Sequence, residues 1–186
     1  MPRLMLNWSR GADRGRMEIV MPDMLVNLLR LPHEQPLIQR LEQQNIQIRR
    51  ALAPDKLRIV SWVQQNSGIS AAGECDVCFS RLPVSCFIAT RGAKMIGYAC
   101  YNAIAPDFFG PTRVQDADRE HGVGQALLLR SLRAMRDEGY LYAIIGGVGP
   151  QEFYKKSVEA ILIPDSTPGV YQDFLGALER TEKITP

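Results

Sequence analysis

Apolar and polar positions regroup along this chain in a regular order. Met24-Leu-Val-Asn-Leu-Leu-Arg30 predicts a strand, stopped by Leu31-Pro32. Pro36 opens a short helix with Leu37, Ile38 and Leu41 on one face. Ile46–Arg50 alternates as a strand does, and Pro54 then starts a helix carrying Leu57, Val60 and Val63 at helical spacing. Residues 67–83 are ambiguous, with a second helix favoured over Glu74–Arg81. Val84–Thr90, the turn Arg91-Gly-Ala-Lys94 and Met95–Tyr101 form a hairpin. Phe108–Val114 is a strand that Gly110-Pro111 obliges to bulge or lose pairing, because proline has no N–H for the ladder. A long helix over Gly122–Glu138 gathers Val123, Leu127, Leu128, Leu132 and Met135 on one half of its wheel and Arg130, Arg133 and Arg136 on the other. Gly139 stands at its C-terminal cap. Leu141–Ile145 is a strand, Gln151–Val158 a short helix and Ala160–Ile163 a last strand; beyond Pro164 the pattern fades. With no internal repeat and no long linker, this order predicts one α/β (α+β) domain, a mixed sheet with covering helices.

Composition changes this picture little. A chain of 186 residues that is 46% apolar and 23% charged can bury a sizeable core, which excludes disordered and fibrous classes. A net charge of +2 argues against nucleic acid or an anionic membrane as the main partner. No apolar run approaches a membrane span, and the scattered arginines of the first residues do not suit a secretory signal, so a cytoplasmic protein is expected. Residues 1–23, rich in methionine, read as a loose extension and as a possible upstream start ahead of a shorter product. The domain is expected over 24–176 and a tail over 177–186. The cysteines read as reduced thiols. Cys75-Asp-Val-Cys78 has a spacing known from zinc and redox sites, but Cys86 and Cys100 stand singly within strands. They read as small buried apolar residues, and no metal is expected.

The segment richest in chemistry is Val114-Gln-Asp-Ala-Asp-Arg-Glu-His-Gly-Val-Gly-Gln-Ala126. A strand ends, a polar loop follows, and two glycines open a long helix. Glycines let a ligand approach the backbone, and the first-turn N–H groups with the helix dipole favour an anion, phosphate above all. A tight strand-to-helix turn would use the same glycines. The match to V-x-x-x-x-[Q/R]-x-x-G-x-[G/A], with Val114, Arg119, Gly122 and Gly124 in register, resembles the acyl-CoA pyrophosphate loop of the GNAT superfamily of N-acetyltransferases. The element order agrees over about residues 46–164, which leaves 24–44 as an addition to the common core.

The resemblance implies a mostly antiparallel, twisted sheet splayed at an acyl-CoA slot, with helices on both faces. It implies that backbone amides of Glu120, His121, Gly122, Val123, Gly124 and Gln125, with Ala126 next in the turn, hold the CoA pyrophosphate. Arg119 would shape the loop, and Val114 would pair its backbone with the pantetheine arm, in the slot between that strand and Leu141–Ile145. Tyr154 stands where family members often carry a tyrosine facing the CoA sulfur, and its role would be to hydrogen-bond or protonate the leaving thiolate. The chain departs from the family at Gly147, where Asn is frequent, and at Val158-Glu159, where Gly-Phe is frequent. The general base is open: Asp107 is the acid nearest the bulged strand, Glu74 and Glu152 are further candidates, and His121 and His33 are the only histidines. Phe108 and Phe109 are candidates to line the acceptor pocket.

The implied activity is transfer of an acetyl group from acetyl-CoA, as co-substrate, to a small-molecule or peptide amine, without metal, by a chain that could form a homodimer. Two other readings compete. Tyr142-Ala-Ile-Ile-Gly-Gly-Val-Gly-Pro150 resembles a strand entering a dinucleotide-binding loop, although Glu152 occupies the third glycine position and too few residues follow for the rest of such a domain. A non-enzymatic acyl-CoA sensor or interaction protein could use the same fold.

Overall fold

A computed structural model describes residues 21–167, 169–170 and 175; the expected extension over 1–20 and the tail over 177–186 lie outside them. The elements run β1 (Met24–Asn27), α1 (Gln35–Gln43), β2 (Ile46–Arg50), α2 (Lys56–Ser67), α3 (Ile69–Cys78), β3 (Cys86–Arg91), β4 (Lys94–Tyr101), β5 (Phe108–Val114), α4 (Val123–Asp137), β6 (Tyr142–Ile145), α5 (Gln151–Val158) and β7 (Ile161–Leu162). All these strands join one sheet in the order β2-β3-β4-β5-β6-β1-β7. Only β5 and β6 run parallel; every other neighbouring pair is antiparallel. No helix among the described residues is long and apolar enough to cross a membrane.

Strand alternation sends side chains to two separate cores. Phe87, Ala89, Ala99 and Tyr101 join the apolar residues of α1, α4 and α5 on one face. Cys86, Ile88, Tyr98 and Cys100 join those of α2 and α3 on the other. A bulge in the β3–β4 hairpin makes this possible: Ala89 faces Gly97 and Thr90 faces Met95, so Ile96 is the extra residue. The apolar stripe foreseen on α4 is the centre of the first core, with Val123, Leu127, Leu128, Leu132 and Met135 all buried. Gly97 is hemmed in from two sides: an added Cβ would lie 2.9 Å from the Arg113 carbonyl of β5 and 3.3 Å from Leu127 Cδ1 of α4.

The structure corrects several expectations. The segment 24–44, read as an addition to the common core, is built into the sheet: β1 lies between β6 and β7, and its Met24 and Val26, with Leu28 just after, are fully buried. Pro22 and Asp23 are not a loose extension either, since Asp23 is buried and both receive backbone hydrogen bonds from the loop after β6. Helix α2 buries Ile59 and Val63 and leaves Leu57 exposed. Gly68, at φ 91°, separates α2 from α3, which spans 69–78 rather than 74–81. Cys86 and Cys100, read as solitary, face each other across β3–β4 and meet Cys75 from α3. These thiols therefore stand together, at a spacing that could hold a metal ion, and not singly.

Candidate functional site

The bulge foreseen at Gly110-Pro111 is present. Thr112 pairs with Ala99 and Phe109 with Tyr101, so two residues of β5 stand opposite Cys100 alone. On its other edge β5 pairs with β6 only at Phe108 and Phe109. β6 then ends at Ile145, while β5 runs on to Val114. From Gly110 to Val114 that edge of β5 has no strand beside it, so the two strands part into a slot whose exposed N–H and C=O groups can pair with an extended guest.

At the far end of the slot the chain turns into α4. Gln115 N–H bonds the Ile96 carbonyl, and a 3-10 turn over Asp116–Asp118 follows. Asp118 is buried and ion-paired to Arg91 at the end of β3, which pins the turn to the sheet. Arg119 bonds Asp116 at 2.8 Å, a shaping role within the loop. Glu120 and Gly122 take φ of 68° and 89°, a left-handed backbone that glycine adopts at little cost and that turns the loop into α4. No side chain caps the first turn of α4, so its N–H groups stay available to an anion. An added Cβ at Gly122 would lie 2.8 Å from Arg40 Nη2 and 2.7 Å from Leu37 Cδ1, both on α1. Arg40 thus brings a guanidinium to this helix end. No motif along the chain points to Arg40, because α1 reaches α4 only through the tertiary fold. Gly124 faces Val114 Cγ2 and Phe153 Cζ at 3.7 and 3.8 Å from a built Cβ, placing it between the walls of the slot. His121 is exposed and Ala126 is buried beneath the turn.

The other end of the slot holds Tyr154. It is buried on α5, edge-on to Phe153 at 5.0 Å and to Phe109 at 6.5 Å between ring centroids. Burial pushes its phenol up to about 12. Phe109 is thereby core packing, and it fixes the ring of Tyr154. Asp107 sits two residues before Phe109, in a turn with φ 60°, and partial burial raises its carboxyl. Its N–H bonds Asn102 Oδ1 at 2.9 Å, and its carbonyl accepts from Ile144 of β6. Asn102 in turn donates to Glu138 at the end of α4. Glu138 also accepts from the Tyr101 hydroxyl, and that hydroxyl accepts from Arg50 at 2.7 Å. Arg50, Tyr101, Asn102 and Glu138 therefore form one chain that holds the Asp107 turn, and sequence reasoning named none of them for it. Glu152 pairs with Lys155 on the surface, which lowers its carboxyl. Glu74 and Ile69 of α3, with Ala103 and Ile104 of the turn before Asp107, line a largely apolar hollow of about 600 Å³.

The dinucleotide-loop reading of Gly146–Pro150 meets a physical obstacle. The Gly147 N–H donates to Asp23 Oδ1 and the Val148 N–H to the Pro22 carbonyl, so this loop is held by the chain's own start.

No family model matches the chain, and neither does any curated protein. Solved structures do. A GCN5-related glucosamine N-acetyltransferase region of a fungal multi-domain GH3 β-N-acetylglucosaminidase superposes with a TM-score of 0.62 at 10% identity, covering 76% of this chain and 19% of that one. A GCN5-related N-acetyltransferase from Sphaerobacter thermophilus superposes at 0.53 and 15% identity, covering 76% of this chain and 48% of that one. The chain thus spans about a fifth and about half of the length of these two proteins. Together with the parting strands and the glycine turn, these likenesses give the chain the fold of the GCN5-related N-acetyltransferases.

Proposed function

We propose that the chain is an acyl-CoA-dependent N-acetyltransferase acting on an amine. One observation carries the reading: β5 loses its neighbour after Phe109, and the unpaired edge leads straight to the uncapped N-terminus of α4. An extended arm with a pyrophosphate at one end fits that pairing of features. Backbone N–H groups from Glu120 to Gln125 would hold the phosphates, with Arg40 adding a full positive charge beside Gly122. The edge of β5 up to Val114 would orient the pantetheine.

Acetyl-CoA supplies an activated acetyl thioester. Tyr154, its phenol at about 12, stays protonated throughout the neutral range and donates to the sulfur that leaves. Full proton transfer from it to a thiolate of ordinary pKa ~8.5 is uphill, so stabilisation by a hydrogen bond is its main service. Asp107 takes the proton that the attacking amine sheds, directly or through a water. The hollow between α3 and the Ala103–Ile104 turn opens next to Asp107 along the chain, and its lining suits an amine carried on an apolar body.

The test has two arms. Acetyl-CoA at millimolar concentration should raise the melting temperature. An amine panel should then release free CoA above the hydrolysis background. Binding without turnover on any amine would favour the acyl-CoA sensor, and no binding would refute both readings.

A further inference from the structure

The chain has four cysteines, and all four are buried free thiols. They lie far from the CoA slot in chemical purpose, on the sheet face covered by α2 and α3. The sulfurs of Cys75, Cys86 and Cys100 all lie within 4.8 Å of one another. Cys78 is one turn on from Cys75, at the last residue of α3; its sulfur stands outside the mutual 4.8 Å of the other three and donates to the Glu74 carbonyl at 3.5 Å. Two elements of secondary structure thus deliver two cysteines each: α3 the pair Cys75 and Cys78, the β3–β4 hairpin the facing pair Cys86 and Cys100.

We propose that Cys75, Cys78, Cys86 and Cys100 form a structural site for one thiophilic divalent cation of the zinc class, clamping α3 onto β3 and β4. Four thiolates at about 2.3 Å from a tetrahedral ion stand roughly 3.8 Å apart. Cys75, Cys86 and Cys100 need only a small contraction to reach that spacing, and Cys78 completes the set by turning its sulfur away from the Glu74 carbonyl. That spacing leaves room for a single ion, whereas a multi-iron cluster would hold its sulfurs further apart. Thiolates alone could not be stored in this dry core; the ion supplies the compensating charge, and each thiol gives up its proton on binding. A second observation points the same way. Ser85 is fully buried, its hydroxyl has no hydrogen-bond partner, and its N–H bonds the Cys78 carbonyl, which sets it beside Cys78, where it can donate to a metal-bound thiolate. This inference is independent of the acetyltransferase reading.

The experiment uses the full chain, expressed with zinc in the medium and purified under a phosphine reductant without chelator. Elemental analysis should find about one zinc per chain. Replacement by Co²⁺ should give the sulfur-to-cobalt charge-transfer absorption and the intense visible bands of a tetrahedral thiolate site. Mercurial titration of the native protein should release the metal in step with modification of the thiols. A Cys75→Ser, Cys100→Ser double variant should bind less than about a tenth of that metal. Because the double variant could fail to fold, the wild-type readouts decide. A folded, reduced wild-type chain that carries no zinc and takes up no Co²⁺ overturns the proposal. So does a disulfide among these cysteines in protein purified and assayed under nitrogen without added oxidant.

Discussion

Tyr154 and Asp107, the proposed hydrogen-bond donor and base, sit in different environments. Burial raises the phenol of Tyr154 to about 12, so in the proposed role it would give a hydrogen bond without giving up its proton. Tyr154→Phe should lower kcat and kcat/KM together, by roughly tenfold to a hundredfold, and leave acetyl-CoA affinity nearly intact. Steady-state kinetics beside calorimetric titration would check it; an unchanged kcat removes the tyrosine from the mechanism. Burial also raises the carboxyl of Asp107, so its basic form appears only above a pKa higher than the ordinary carboxylate value. If it is the base, kcat/KM should fall as pH drops through that raised value, and Asp107→Asn should erase this acid limb while lowering the plateau. A limb that survives the substitution assigns the titration elsewhere. At this scale the sequence was partly legible. Tyr154 could be singled out as a candidate from the family resemblance and its place in the element order. The chain from Arg50 through Tyr101 and Glu138 to Asn102 could not, because it joins three segments by tertiary contact alone.

Elements show where periodicity carries information and where it stops. The stripe on α4 was readable because five large apolar residues recur over four turns and no competing stripe exists. On α2, Val63 belongs to two stripes, one through Val60 and one through Ile59; the fold buries the second and leaves Leu57 at 80% exposure. The hairpin carries the sharpest lesson. Counted back from the turn Arg91–Lys94, an unbroken ladder would set Cys86 opposite Ala99; the extra residue Ile96 shifts the register by one and sets it opposite Cys100. A bulge leaves little trace in the letters, so the meeting of the cysteines stayed hidden. The glycine turn yields predictions of its own. Gly124→Asp retains an allowed backbone and has room at Cβ, yet puts a carboxylate between Val114 and Phe153. Acetyl-CoA affinity should fall by more than about tenfold, or about 1.4 kcal/mol, with the fold retained. Gly122→Ala combines a positive φ with a collision against Leu37 and Arg40, so both affinity and melting temperature should fall. Arg40→Ala should weaken acetyl-CoA binding and flatten its dependence on salt, with little change in melting temperature.

At the scale of the molecule the sheet divides into an N-terminal run, β2 to β5, and a C-terminal run, β6, β1 and β7, joined only by two residue pairs of β5 and β6. The first strand belongs to the second run. Leu28→Ala, at a fully buried position just after β1, should cost about 2–5 kcal/mol. In a chain of this length that lowers the melting temperature by roughly 5–15 °C, measurable by calorimetry. The domain plan was legible from the alternation of elements, but this placement was not, since a strand's partner is not written in its own residues. It matters for how the chain is made. Asn27 finds its partner Tyr142 more than a hundred residues later, so a nascent chain leaves the ribosome with its first strand waiting. The hairpin of β3 and β4 and its helices can fold in the meantime from local contacts. The wall of the slot formed by β6 is completed late, when β1 closes onto a strand made more than a hundred residues after it. Loop-closure entropy grows only logarithmically with that separation, so the delay weighs on the rate of folding far more than on final stability. During it, Met24, Val26 and Leu28 are exposed, and a chaperone that holds the emerging N-terminus should bind there.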